Sequence, residues 1–480
     1  MASEKSYKWT VLLITSIGAM MAPLDGNIVS VSLPVITQGL HMDYVSVIWV
    51  PAAYLVALAV VLLIMGRLSD IKGRRPIFIT GFAVFVLSSF LCSIAQSGAE
   101  LVLFRVIQGA GGACFAATST AIVTDIFPAK ERGKALGINI MAVYIGGALG
   151  PTLGGVLTYA LGWRSIFWVN IPIGLLVISL ALWRLKESAP MNEKVPLDFP
   201  GMATYAIGLV SLLVAMTVGE SMGWTALPIL ALLALSVVSF LLFIPLERRK
   251  GRGAMFDLSL FAHNRLFTAA NIAALLNYTA FFASAFIMSF YLQRVLMLDP
   301  LATGIILISM PLTMAILAPI SGWASDRVGS RVLATGGMAI IALGLLLLSS
   351  LTTGSHPATV AIYLLIIGAG MGLFSSPNTS AIMGSVEKKQ LGVASGMVAT
   401  MRTTGMSLGL ALTGAVMAVV ISTDVINSLF AGTDPSQIAV ESAEFVQGMS
   451  LAFIVSAIIA AIGAVFSAAR GEAEAASSKG

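Results

Sequence analysis

The chain has 480 residues, 58% of them hydrophobic and only 10% charged, with a mean hydropathy of +0.96. A soluble domain carries about 25% charged residues, so this composition excludes an ordinary soluble protein and identifies a polytopic membrane protein. The net charge of +5 would suit a nucleic-acid binder only if the basic residues clustered on a soluble domain, and they are spread over short loops instead. Cys92 and Cys114 have neither disulfide nor metal spacing, and His41, His263 and His356 are far apart. Neither a metal nor a cofactor is expected.

Fourteen apolar segments are long enough to span a bilayer as helices: 10–34, 46–68, 76–96, 100–125, 134–160, 165–184, 199–219, 226–246, 266–292, 301–324, 332–351, 357–384, 391–421 and 446–469. Their internal Gly and Pro suit membrane helices better than soluble ones. The N-terminus and every second loop carry basic clusters, such as Arg67, Lys72, Arg74 and Arg75, then Lys130, Arg132 and Lys134, and later Lys388 and Lys389. These positions hold 23 of the 27 basic residues, against two, Arg164 and Arg294, in the opposite loops. The positive-inside rule then places both termini in the cytoplasm.

The first span contains TSIGAMMAPLDGNIVSVSLP (15–34), in which Asp25 is the only charged residue from Thr10 to Pro34. A carboxylate at the centre of a bilayer helix costs roughly 2.5–3.5 kcal/mol, so something should offset it. Span 4 holds Arg105. At about 1.5 Å per residue, Asp25 lies ~22 Å in from the cytoplasmic side. Arg105 lies ~8 Å below the outer face of a core about 30 Å thick, which is the same depth. The two should pair or share water.

The chain also repeats. Gly66, Asp70, Gly73 and Arg75, after span 2, match Gly322, Asp326, Gly329 and Arg331, after span 10, at a constant offset of 256. At an offset of 259, Gly109-Ala-Gly matches Gly368-Ala-Gly, Gly133-KALG matches Gly392-VASG, and Gly146 and Gly150 match Gly405 and Gly409. The same offset sets Leu364 opposite Arg105, so the arginine belongs to the first half alone. The chain therefore divides into a six-helix bundle (1–190), an inserted helix pair with flanking cytoplasmic loops (191–260), and a second six-helix bundle with a short tail (261–480). Repeated halves of like topology are a transporter signature, with the substrate site between them near mid-membrane.

These residues resemble the major facilitator superfamily, and in particular its 14-helix drug/proton antiporter branch. GRLSDIKGRR (66–75) is similar to the family's cytoplasmic loop motif, and LVLFRVIQGAGGA (101–113) to its span-4 arginine motif. GGALGPTLGG (146–155) resembles the span-5 antiporter motif, and LDGNIVSVSLP (24–34) the span-1 motif of the branch, with Gly26 where Thr is usual. WRSIFWVNIPIG (163–174) and FDLSLFAHNRLFTAAN (256–271) also fit. The resemblance implies an all-α polytopic fold, and a latch at the cytoplasmic loops that holds the outward-facing state.

Each motif also has a physical reading. Desolvation disfavours an ionised carboxylate and a nearby cation favours it, so Asp25 is the expected proton carrier and Arg105 its tuner. Asp70 and Asp326 are placed to meet the positive N-terminal ends of neighbouring helices. Arg74, Arg75 and Arg331 can bridge to acids such as Asp125, and the loop glycines Gly66 and Gly73 permit the tight turn. Gly146, Gly150, Gly154 and Gly155 offer a small-residue face for close helix packing, and Pro151 can bend the helix. Substrate-cavity candidates are Asn27, Tyr54, Tyr144, Asn277, Tyr278, Phe281, Met288 and Asn378. Arg402, with no acidic partner in a span, could meet backbone carbonyls or an anionic part of a substrate.

Together these features point to a proton-coupled antiporter exporting small lipophilic or amphipathic compounds from the cell, working as a monomer in the cell membrane. One buried acid favours a neutral or monocationic cargo over a dication. A proton symporter for a small nutrient is the first alternative, and a non-transporting membrane receptor the second. An enzyme is not expected, because no metal, catalytic or nucleotide motif is present.

Overall fold

The structure, a computed structural model, describes residues 2–42, 44–187, 198–250, 259–298, 300–420 and 438–470. Among these there is no strand. The first group of helices is α1 (Ala2–Gly39), α2 (Tyr44–Lys72), α3 (Arg74–Ile94), α4 (Gly98–Ile126), α5 (Ala129–Leu161), the short α6 (Ser165–Trp168) and α7 (Asn170–Arg184). A hairpin of α8 (Phe199–Met222) and α9 (Leu227–Lys250) follows. The second group is α10 (Ser259–His263), α11 (Arg265–Phe290), α12 (Pro300–Leu307), α13 (Ser309–Val328), α14 (Ser330–Ser349), α15 (Pro357–Gly384), α16 (Leu391–Val420) and α17 (Ile438–Ala469).

Thirteen segments among the described residues are long and apolar enough to cross a membrane. Two of them join short helices, α6 with α7 over Ser165–Arg184 and α12 with α13 over Ala302–Val328. The sequence reading expects fourteen. The thirteenth of those, 391–421, corresponds to α16, a helix of 30 residues that is not among the thirteen.

Helix ends follow from local chemistry. Ser97 caps α4 by accepting from the Glu100 N–H, and Asn264 caps α11 by accepting from the Phe267 N–H. The sharp turns between α2 and α3 and between α13 and α14 place Gly73 at φ 97° and Gly329 at φ 84°. An L side chain is strained there, which accounts for glycine at both repeated positions.

The packing repeats as the sequence does. In the first group α1 packs on α5, α2 on α4, and α3 on α4 and α7. In the second, α11 packs on α16, α13 on α15, and α14 on α15 and α17. The two groups meet through α5 against α13 and α2 against α16. The hairpin lies over the second of these seams, with α8 touching α2 and α16. Leu63, Tyr205, Leu209, Phe243, Leu391 and Val393 share one apolar cluster there. Leu87, Leu161, Leu241 and Val465 point outward, as a lipid-facing surface requires.

Candidate functional site

The span-1 acid sits in a closed polar cluster built by five helices. Asp25 (α1) and Arg105 (α4) are 1% and 0% exposed. Arg105 Nη1 donates to Asp25 Oδ2 at 2.5 Å. Asp25 Oδ1 accepts from Gln108 Nε2 (α4) at 3.0 Å and from Asn170 Nδ2 (α7) at 2.7 Å. Gln108 also receives Arg105 Nη1 on its Oε1 at 2.6 Å and donates to Ser89 Oγ (α3) at 2.8 Å. Arg105 Nε donates to the Val50 carbonyl (α2) at 3.2 Å.

Spacing on α4 explains much of this. Arg105 and Gln108 are three residues apart, so they share a face. Glycines one turn on make room for α2. A Cβ at Gly112 would lie 3.2 Å from the Tyr54 hydroxyl. That clearance lets the Tyr54 ring stack on the Arg105 guanidinium, with 4.3 Å from its central carbon to the ring centroid. Removing one member of a buried ion pair typically costs about 3–5 kcal/mol, because the survivor keeps an uncompensated charge. The cluster therefore holds Asp25 tightly.

At the end of the molecule that carries the basic loops, the two groups close on each other. Asp70 accepts from the backbone N–H of Gly392 at 2.8 Å and Val393 at 3.0 Å, near the start of α16. Asp326 accepts from Gly133 at 2.8 Å and Lys134 at 3.0 Å, in the first turns of α5. Gly66 packs on Gly392 and Gly322 on Gly133, backbone against backbone. Arg74 pairs with Asp125 at 2.9 Å and donates to the Lys388 carbonyl at 2.6 Å. Arg75 and Arg331 do not bridge acids as expected from the sequence. Arg75 donates to the Leu182 carbonyl at 2.9 Å, because it faces α7 rather than α4. Arg331 is exposed and has no acidic partner among the described residues.

The small-residue face of α5 is also split. Gly146, Gly150 and Gly154 pack on Met20, Asn27 and Ile28 of α1, whereas a Cβ at Gly155 would meet nothing within 4 Å. Gly155 turns away because it lies about 100° round the helix from Gly154. Pro151 lies inside α5, which continues unbroken past it.

The cavity candidates separate into two sets. Tyr144 (α5) hydrogen-bonds with Ser375 Oγ (α15) at 2.5 Å, across the two groups. Tyr278 (α11) lies beside it, and Arg402 (α16) is close enough to act electrostatically on both Tyr144 and Tyr54. Phe281 and Met288 adjoin the Tyr144 and Tyr278 pair: the Phe281 ring lies 5.8 Å from that of Tyr278, and Tyr144 and Tyr278 pack against the core cluster that holds both residues. The others go elsewhere. Asn277 is fully buried and donates to the Met338 sulfur at 2.9 Å. Asn378 donates to the Ala270 carbonyl and accepts from Arg470. Asn27 is exposed and returns its amide to the Pro23 carbonyl at 2.8 Å.

Sequence reasoning misses Gln108, Asn170 and Ser89. Gln108 and Asn170 fall inside motifs read for other features, and the available signal was an amide in an otherwise apolar stretch.

A family model of the Major Facilitator Superfamily matches residues 15–267 and 270–479. The chain is 34% identical over 408 residues to the riboflavin transporter RibZ of Clostridioides difficile, covering 84% of this chain and 87% of that protein. It is 35% identical over 416 residues to the multidrug resistance protein Stp of Mycobacterium tuberculosis, covering 86% of this chain and 76% of that protein. The fold is similar to a solved structure of the proton:xylose symporter XylE, with a TM-score of 0.66 at 14% identity, covering 96% of this chain and 95% of that one.

Proposed function

Since the chain belongs to the Major Facilitator Superfamily and is a multi-pass transporter of the cell membrane, we propose that it exports small lipophilic or amphipathic compounds in exchange for protons, by alternating access. The observation that carries this reading is the Asp25–Arg105 pair, fully buried within the first group. A buried carboxylate that loses its cation takes up a proton rather than bear a bare charge. Parting the pair loads a proton, and re-forming it releases one.

The scaffold suits such a cycle. We assign residues 1–190 and 261–480 as the two bundles that rock against each other, with 191–260 as an inserted pair and α16 as the thirteenth span, which brings the count to fourteen. Among the described residues, the glycine contacts that cross between the groups lie towards the Asp70 and Asp326 end. With both termini cytoplasmic, this is a state closed to the cytoplasm, and the Asp70 and Asp326 contacts are its latch. The proton site is made by one chain, so a monomer suffices, and the gradient supplies the energy without a cofactor. Similarity to Stp supports a drug-like cargo, and similarity to RibZ supports an aromatic, amphipathic one.

The test is dye accumulation in cells with and without the protein, repeated with a protonophore. Export predicts lower accumulation in expressing cells, abolished by the protonophore. Higher accumulation in expressing cells, lost on adding the protonophore, would instead establish symport.

A further inference from the structure

Arg402 is the charge left over. It lies twelve residues into α16, about 17 Å from the start of the helix at 1.5 Å per residue. It has no ion pair and no hydrogen bond among the described residues, and it is only half-buried. The repeat gives no structural reason for it, since the matching position on α5, at the offset of 259, is Val143. Its direction is set by its neighbours on α16. Gly392, Gly396 and Ala399 face the first group, while Gly405 and Gly409 pack on α11. At 100° per residue Arg402 falls between these two faces, and the antiparallel register of Gly392 on Gly66 and Gly396 on Leu62 carries it to about the level of Tyr54 on α2.

A second observation points the same way. The Tyr54 hydroxyl is buried, with the residue 1% exposed, and has no hydrogen-bond partner. An intramembrane cation and a nearby orphan hydroxyl donor are both costly without a partner. An oxyanion satisfies both. Asp25 cannot offer a cation the same service, because Arg105, Gln108 and Asn170 already occupy it. The charge open to cargo in this state is positive, which reverses the neutral or cationic preference drawn from the sequence.

We infer that Arg402 and the Tyr54 hydroxyl form the recognition point for an anionic group, and that the cargo is an aromatic organic anion bearing a carboxylate, phenolate or sulfonate. The inference rests on the transport reading above and names its substrate class. It also supplies a link between cargo and proton. The Tyr54 ring that would hold the anion by its hydroxyl is the ring stacked on Arg105, so seating the anion bears directly on the Asp25 pair. One proton in and one monoanion out move two charge equivalents, so export responds to membrane potential twice as strongly as export of a neutral compound.

The test uses the full chain in lipid nanodiscs at fixed pH, with no gradient. Two xanthene dyes of similar shape and opposite charge, fluorescein and rhodamine 6G, serve as probes, read by fluorescence anisotropy. Fluorescein should bind the wild type. Arg402→Gln should lower the ratio of fluorescein to rhodamine affinity on the order of tenfold or more. Tyr54→Phe, which keeps the ring over Arg105, should lower it by a smaller factor and decides the matter if Arg402→Gln does not fold. No fluorescein binding by the wild type, or an unchanged ratio in the variants, overturns the proposal. A transport arm separates the two readings. If fluorescein binds through Arg402 but its flux in vesicles ignores an imposed pH gradient, the anion site stands and proton coupling fails. If rhodamine export follows the gradient while fluorescein does not bind, the anion site fails and coupling stands.

Discussion

Asp70 and Asp326 make the same contact in opposite directions. Each accepts two backbone N–H bonds, at 2.8 and 3.0 Å, from a helix of the other group. The repeat makes this reciprocity possible, because the acids are related by one offset and the N–H donors by another.

Asp70→Asn keeps the shape of the side chain and removes its charge. Hydrogen bonds to charged groups contribute about 1.5–3 kcal/mol each, so the state open at this end should gain population roughly tenfold or more. Spin labels at Lys72 and Lys389, both exposed, report the opening in a background with Cys92 and Cys114 replaced. A longer distance should appear in the variant. An unchanged distribution would show that these bonds do not latch the groups.

The neighbouring glycines Gly154 and Gly155 should answer alanine oppositely. A Cβ at Gly154 would lie 2.8 Å from the Ile28 carbonyl oxygen, a backbone atom with little freedom to retreat. Overpacking of this kind costs about 1–3 kcal/mol. Gly155 has open space, and alanine there gains up to about 1 kcal/mol of helix propensity. Thermal unfolding of the purified protein should fall for Gly154→Ala and hold or rise for Gly155→Ala. Equal effects would contradict the close α1–α5 seam.

Arg105→Gln leaves Asp25 buried without its cation, and should lower stability by about 3–5 kcal/mol. Adding Asp25→Asn removes the carboxyl that must otherwise take up a proton to stay buried, so the double variant should be more stable than Arg105→Gln alone. Thermal unfolding of the wild type, both singles and the double closes this cycle. Strict additivity would mean the two residues do not interact.

What the sequence disclosed follows the cost of each residue. Asp25 and Arg105 stand out because a charge in an apolar run demands a partner, and their equal depth follows from helix rise alone. The loop acids stand out because they recur. Gln108, Asn170 and Ser89 were not legible as partners of the Asp25–Arg105 pair. Neutral polar side chains are tolerated in membrane helices, and only the packing of α3, α4 and α7 brings these three to one carboxylate. Phe281 and Met288 have a composition that suits a cavity wall and a core alike, and they share one apolar cluster of the second group with Tyr278 and Tyr144 packed against it. The sequence carries no marker for which side of α11 faces the seam. The hairpin's place over α2 and α16 was likewise hidden, since α8 and α9 have no repeat partner to orient them.

The most direct test of the central claim reconstitutes wild type and Asp25→Asn in proteoliposomes under an imposed pH gradient, following dye and proton movement together. The account predicts uphill dye transport with coupled proton flux in the wild type. In Asp25→Asn it predicts a folded protein that drives neither. Uphill transport with proton flux intact in Asp25→Asn would contradict it.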